Sequence, residues 1–261
     1  MKKCKHLKKD SKRKINKKML IMRLIQLTFL ILIIFSSIKI YNWYKENKAN
    51  EQILKDISNA IVVVENDDEN QKEEDKYKID FGELKKKNED VVAWIKVNNT
   101  KIEYPVVKSK NNDYYLNHSF DKSYNIAGWI FADYRNNFNG EDKNIIVYGH
   151  NRRDGSMFGS LKNILDEEWY NNDENRNIIF ATEEKVSTYR VFSVYQVEKE
   201  DYYIQTEFKG DEFEKFIEEL KRRSKKDFDE EVDKDSQILT LSTCANNNKY
   251  RVVLHAVKVE E

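Results

Sequence analysis

Proline occurs once in 261 residues, cysteine twice and glycine seven times. Each scarcity removes a class of explanation. With so few glycines there is no Gly-rich loop to cradle a phosphate and no Gly-x-Ser-x-Gly elbow to present a nucleophilic serine. The lone proline, Pro105, lies inside the strand-like stretch 101–107 and marks a strand edge or bend there. Two cysteines and four scattered histidines lack metal-ligand spacing, and neither an HExxH pattern nor an EF-hand loop is present. No metal and no cofactor is expected. Net charge is lacking too, but the balance hides an asymmetry. Residues 1–18 hold nine lysines and Arg13 against Asp10, so the rest of the chain is acidic. A nucleic-acid binder would carry its basic surface on the folded body, so no nucleic-acid partner is expected.

The basic leader gives way to an apolar run from Leu24 to Ile38, broken only by Gln26, Thr28, Ser36 and Ser37. Extended over 19–43 it exceeds the roughly 20 apolar residues that span a bilayer. Tyr41, Trp43 and Tyr44 fit an interfacial belt, and the basic leader predicts a cytoplasmic N-terminus with everything after about residue 45 outside. A cleaved signal peptide is the rival reading; no small-x-small cleavage site follows the run, which favours an uncleaved anchor. Cys4 and Cys244 then lie on opposite sides of the membrane and cannot pair within one chain. The exported cysteine either pairs between molecules, stays a free reactive thiol, or is a buried inert one.

Along the body, Ile53, Leu54, Ile57, Ile61 and Val64 recur at helical spacing and predict a helix over 42–64. The charged stretch Glu65–Lys76 reads as a solvated linker. A short helix is expected over Phe81–Lys87. Strands are expected at 91–97, 101–107, 128–132, 144–148, 177–181, 187–197, 237–243 and 251–259, with helices over 156–165 and 211–225. Many short strands separated by turns predict a mainly β, closed or nearly closed barrel.

The stretch Ile238-Leu-Thr-Leu-Ser-Thr-Cys244 alternates, with Thr240, Ser242 and Cys244 on one face. In Arg251-Val-Val-Leu-His-Ala-Val257 the same holds for Arg251, Val253 and His255. Ala-Asn-Asn-Asn-Lys-Tyr between them is turn material, so a hairpin would set Cys244 close to Arg251. A thiol nucleophile works best beside a proton carrier or a positive charge. His6 is on the wrong side of the membrane, and His118 fits a surface or packing role. His255 lies about 13 Å along the strand from Arg251. His150 ends the strand 144–148 after Gly149, where a barrel rim could present it, though a structural role is equally open.

Thr240-Leu-Ser-Thr-Cys244, Tyr148-Gly-His150 and Tyr250-Arg-Val-Val together resemble the active-site motifs of the sortases, cysteine transpeptidases of Gram-positive bacteria. Asp90-Val-Val-Ala-Trp-Ile-Lys-Val97, Ile102-Glu-Tyr-Pro-Val-Val107, Phe131-Ala-Asp-Tyr-Arg-Asn136 and Asp154-Gly-Ser-Met-Phe158 resemble class B members in particular, as does the placing of a helix at 211–225 between two late strands. Ala245 departs from class B members that have a polar or acidic residue after the cysteine.

The resemblance implies a sortase-type barrel over 77–261 with N-terminal helices. A basic tail (1–18), a transmembrane anchor (19–43) and a helical, charged linker (44–76) would precede it. It implies Cys244 as nucleophile, His150 as acid and base, and Arg251 as oxyanion donor. Ser242, Asn112, Leu116, Tyr203 and Ile204 would line a groove for a C-terminal sorting signal, Asn-Pro-x-Thr-like in class B. The implied partners are secreted proteins bearing that signal and an amine on peptidoglycan or its lipid-linked precursor. A thiol peptidase that resolves its acyl-enzyme with water, and a membrane-anchored binding module with an inert cysteine, are the alternatives.

Overall fold

The computed structural model describes residues 17–63, 76–244 and 249–259. Cys4, His6, nearly all of the expected linker and the turn Ala245-Asn-Asn-Asn248 lie outside them, as does the side chain of Cys244. Two compact units are present, one up to Lys45 and one from Glu46 onward. In the first, helix α1 (Lys17–Ile57) begins, and the apolar side chains from Met19 to Tyr44 are exposed. This helix is long and apolar enough to cross a membrane.

α1 stops at Ile57, short of the expected end, and Ile61–Val63 (β1) pairs antiparallel with Tyr77–Ile79 (β2) instead. Three consecutive β-branched residues explain the switch. Of the helical stripe, Ile57 is buried and Ile53, Leu54 and Ile61 pack on the main core. Helix α2 (Phe81–Lys87) starts where the Asp80 carboxylate accepts the Glu83 N–H at 3.0 Å, and it buries Phe81 and Leu84.

The remaining strands are β3 (Val91–Val97), β4 (Glu103–Val107), β5 (Phe131–Ala132), β6 (Asn144–His150), β7 (Asn177–Ala181), β8 (Val186–Glu198), β9 (Ile238–Cys244) and β10 (Tyr250–Lys258). They close into an eight-stranded barrel in the order β10-β8-β7-β3-β4-β5-β6-β9. Pro105 pairs with Trp94 on β3, whereas β4 meets β5 at the single position Val107–Phe131. Its missing N–H therefore costs little, as expected of an edge-like site.

Alternation sorts each strand's residues between two layers. Ile145, Val147, Leu239, Leu241, Val252, Leu254 and Ala256 point into the barrel, among the main core. The intervening residues face outward, where helix α4 (Glu212–Arg223) covers part of them. Phe213, Phe216, Ile217 and Leu220 of α4 pack with Phe192, Tyr195, Ile238, Val253 and Val257 in a second core.

Two expected elements are shorter than their sequences suggested. Helical structure over 156–165 is confined to a 3-10 turn at Leu161–Leu165, followed by a short helix α3 (Glu167–Tyr170). Gly155 and Met157 hold positive φ of 80° and 51°, and the Phe158 N–H bonds to the His150 carbonyl, so no helix can start there. The expected strand 128–132 is reduced to Phe131–Ala132 because Gly128 turns left-handed, with φ of 60°.

Candidate active site

Three neighbouring strands converge at one barrel end. β6 and β9 run parallel, with His150 opposite Cys244 and Tyr148 opposite Ser242. β9 and β10 run antiparallel, with His255 opposite Thr240 and Val253 opposite Ser242. That register ends at Val253–Ser242; continued by two residues it would set Arg251 opposite Cys244. His150 and Cys244 are direct partners on adjacent strands, which lie about 4.8 Å apart. Thr243 helps hold the end of the hairpin, its Oγ1 accepting the Val252 N–H at 3.0 Å.

His150 is buried, at 6 % exposure. Its Nε2 lies 2.6 Å from the Leu116 carbonyl oxygen. A carbonyl only accepts, so Nε2 carries the proton and neutral His150 keeps Nδ1 as its basic nitrogen. Burial pulls the imidazole pKa below its ordinary value and the nearby Arg152 charge adds to this, while the Leu116 hydrogen bond opposes both. The loop after the strand is tied to the same residue: the N–H groups of Arg152 and Phe158 donate to the His150 carbonyl at 3.0 and 3.1 Å.

Gly149 was expected to supply a permissive turn, but it lies within β6 and serves packing. A Cβ there would meet Ile130 Cδ1 at 2.5 Å and Phe158 Cγ at 2.7 Å. Arg251 is half-buried, and its Nη1 has no hydrogen-bond partner among the described residues. A buried guanidinium N–H without an acceptor is poised to take an anion or a polarised oxygen.

The residues expected to line a groove fall into three places. Ser242 is buried, and its Oγ lies 3.1 Å from the Tyr203 hydroxyl. Tyr203 is itself 2 % exposed, in the 3-10 turn Tyr202–Ile204 between β8 and α4, while Ile204 is half-buried. Asn112 and Leu116 are half-buried on the β4–β5 connection, where Leu116 contributes its carbonyl to His150.

Sequence reasoning gave Asp133 and Arg135 no role of their own. Asp133, fully buried in its side chain, accepts from Arg135 Nε and Nη2 at 2.8 Å each, from the Tyr148 hydroxyl at 2.8 Å and from Asn112 Nδ2 at 3.0 Å. Burial works against its charge, but the hydrogen bonds from Arg135 and Tyr148 outweigh it and hold the carboxyl below its ordinary pKa. An Asp two residues before an Arg was the only available signal.

Two other histidines fit packing roles. His118 stacks on Tyr114 at 4.1 Å between ring centroids. His255 is fully buried in a directed chain. Asn144 Nδ2 donates to the Tyr203 and Gln205 carbonyls, so its Oδ1 accepts from Thr240 at 2.6 Å. Thr240 Oγ1 then accepts from His255 Nδ1 at 2.9 Å, and Nε2 accepts from the Tyr195 hydroxyl at 2.8 Å. Among the described residues no cluster of His, Cys, Asp and Glu could hold a metal ion.

The family model described as Sortase domain matches residues 95–259. A sortase B of Listeria monocytogenes is 37% identical over 220 residues, which cover 83% of this chain and 87% of that protein. The solved sortase B from B. anthracis aligns with a TM-score of 0.71 at 34% identity, covering 85% of this chain and 100% of that one. The Staphylococcus aureus sortase B–substrate complex aligns with a TM-score of 0.66 at 34% identity, covering 69% of this chain and 85% of that one.

Proposed function

The chain belongs to the sortase family, among its class B members, and is a cysteine transpeptidase; on that premise we propose that Cys244, His150 and Arg251 carry its reaction. The observation that supports this reading is the register of β6, β9 and β10, which pairs His150 with Cys244 and Val253 with Ser242, two residues before Cys244 and two after Arg251. His150 Nδ1 takes the thiol proton as Cys244 Sγ attacks the carbonyl carbon of Thr in an Asn-Pro-x-Thr-like signal. Arg251 donates to the oxygen that becomes negative. The C–N bond breaks, His150 passes its proton to the leaving amine, and a thioester remains. An incoming peptidoglycan amine attacks that thioester and gives a proton to His150, which returns it to the sulfur as the new amide forms. Ser242, Asn112, Leu116, Tyr203 and Ile204 line or support the groove that holds the signal.

The apolar part of α1 anchors the enzyme as a single-pass protein with a cytoplasmic N-terminus and an external catalytic body, roughly residues 77–261. Tethering concentrates enzyme and secreted substrate on one surface.

The test is intact mass after incubation with Asn-Pro-x-Thr and Leu-Pro-x-Thr peptides, with and without an amine, on the parent protein and on Cys244→Ala. An adduct of the peptide's N-terminal half, absent in Cys244→Ala and converted to an amide by the amine, is the expected result. Release by water alone, with no amide formed, would mean that the thioester is hydrolysed and would overturn transfer.

A further inference from the structure

Two segments that the functional reading assigns to the groove, and the strand that ends in His150, are not neighbours in the chain. Asn112 belongs to the β4–β5 connection, Ile204 to the turn before α4, and Tyr148 to β6, two residues before His150. No ladder bonds join the turn to the β4–β5 connection, yet both lead to one ion pair. Asp133 Oδ2 receives Asn112 Nδ2 and the Tyr148 hydroxyl. Asn112 answers with its own Oδ1, which accepts the Tyr134 N–H at 3.0 Å. Arg135, held on both Asp133 oxygens, uses Nη2 a second time to donate to the Ile204 carbonyl at 2.8 Å.

The carboxylate is wholly buried while the guanidinium is 35% exposed, so the pair bridges from the barrel wall to the surface. A planar fork with fixed donor directions transmits position in a way a single ammonium cannot. Asn144 holds the same turn from beneath through the carbonyls of Tyr203 and Gln205. The turn is thus fixed at two levels, and Arg135 ties it to the opposite wall.

We propose that Arg135, locked by Asp133, is a positioning residue that sets the spacing between the Asn112 wall and the Tyr203–Ile204 wall of the recognition groove. This rests on the sortase reading of that groove and adds to it a source of its width. The ion pair does not touch the reacting atoms. It governs how well the signal peptide seats.

Two readouts test it, one with substrate and one without. Arg135→Met removes the fork, and Arg135→Lys keeps a charge but only a single point of attachment. Because Asp133 is buried, Arg135→Met leaves an uncompensated charge; the double variant Asp133→Asn/Arg135→Met, which removes that charge, guards against mere misfolding. Loss of a charged hydrogen bond predicts that KM for an Asn-Pro-x-Thr peptide rises by about tenfold in Arg135→Met and in the double variant, with kcat within about threefold. The rate and pH profile of Cys244 alkylation by iodoacetamide should stay as in the parent, since the thiol's surroundings are intact. Arg135→Lys should fall between parent and Met. Equal KM values, or a change in alkylation that parallels the change in KM, would overturn the clamp.

Hydrogen exchange reads the same clamp without any peptide. Amides over 202–208 should exchange faster in Arg135→Met and in the double variant, while those of β9 and β10 do not. Unchanged exchange in that segment would overturn the proposal. If the parent forms no Cys244-dependent adduct with any peptide, the functional reading fails, and the exchange result still decides whether Arg135 holds the turn.

Discussion

A Cβ on Gly128 would lie 2.5 Å from the Tyr115 carbonyl oxygen, 2.8 Å from that of Leu116 and 3.0 Å from Cδ2 of His150. With φ at 60°, the residue also occupies backbone space that side chains disfavour by about 1–2 kcal/mol. Gly128→Ala should therefore shift both the imidazole and the carbonyl that orients it. Displacements near 1 Å can cost roughly a hundredfold in rate, and that fall in kcat is expected with the circular-dichroism spectrum retained. Steady-state kinetics check it. His255 makes a different prediction. Burial lowers its pKa from 6.5 to about 3, and its bare Nε2 already accepts from Tyr195. The unfolded chain binds this proton near 6.5 while the folded one refuses it until about 3, so acid favours unfolding across that window. Urea stability should fall as pH drops through it, with His150, whose pKa is also lowered by burial, adding in the same direction, and His255→Gln should flatten the dependence. The β9–β10 hairpin was legible because turn residues separate two alternating strands. The Asp133–Arg135 clamp was not, because its partners Asn112, Tyr148 and Ile204 come from separate segments of the chain.

Elements with a strong period were the readable ones. The strand 177–181 was expected with its observed limits, and the apolar stripe Phe213, Phe216, Ile217 and Leu220 marked α4. What escaped was local geometry that overrides pattern: the positive φ values near Gly155, the left-handed Gly128, and the parallel pairing of β6 with β9, which no turn announces. α4 roofs the outer face of the barrel, so its anchors should contribute as core residues do. Phe216→Ala should lower unfolding stability by about 3–5 kcal/mol, measurable by urea titration. The last turns of α1 meet the body through polar groups as well as through Ile53, Leu54 and Ile57. Asn50 Oδ1 accepts from the Ser119 hydroxyl and from Asn125 Nδ2, all buried. Asn50→Ala leaves the Ser119 hydroxyl without this acceptor and Asn125 Nδ2 with the Glu46 carbonyl, and should cost about 1–3 kcal/mol, read on the full chain in detergent.

For the whole molecule, the two cysteines are natural reporters of topology. If the apolar helix spans the membrane as proposed, an impermeant maleimide applied to intact cells should label Cys244 and spare Cys4, with Cys244→Ser as the control. Labelling of Cys4 would invert the orientation. The barrel's closure carries one more implication, for the order of events during synthesis. His150 and Cys244 are register partners across a gap of ninety-four residues, and Arg251 comes later still. Parallel pairing over such a span forms slowly because a long loop must close first. A ribosome delivers the histidine strand well before the thiol strand, and the guanidinium last. On the roles proposed for Cys244 and Arg251, the nascent thiol would have no oxyanion donor beside it until β10 docks, so acyl transfer would begin only when folding is complete.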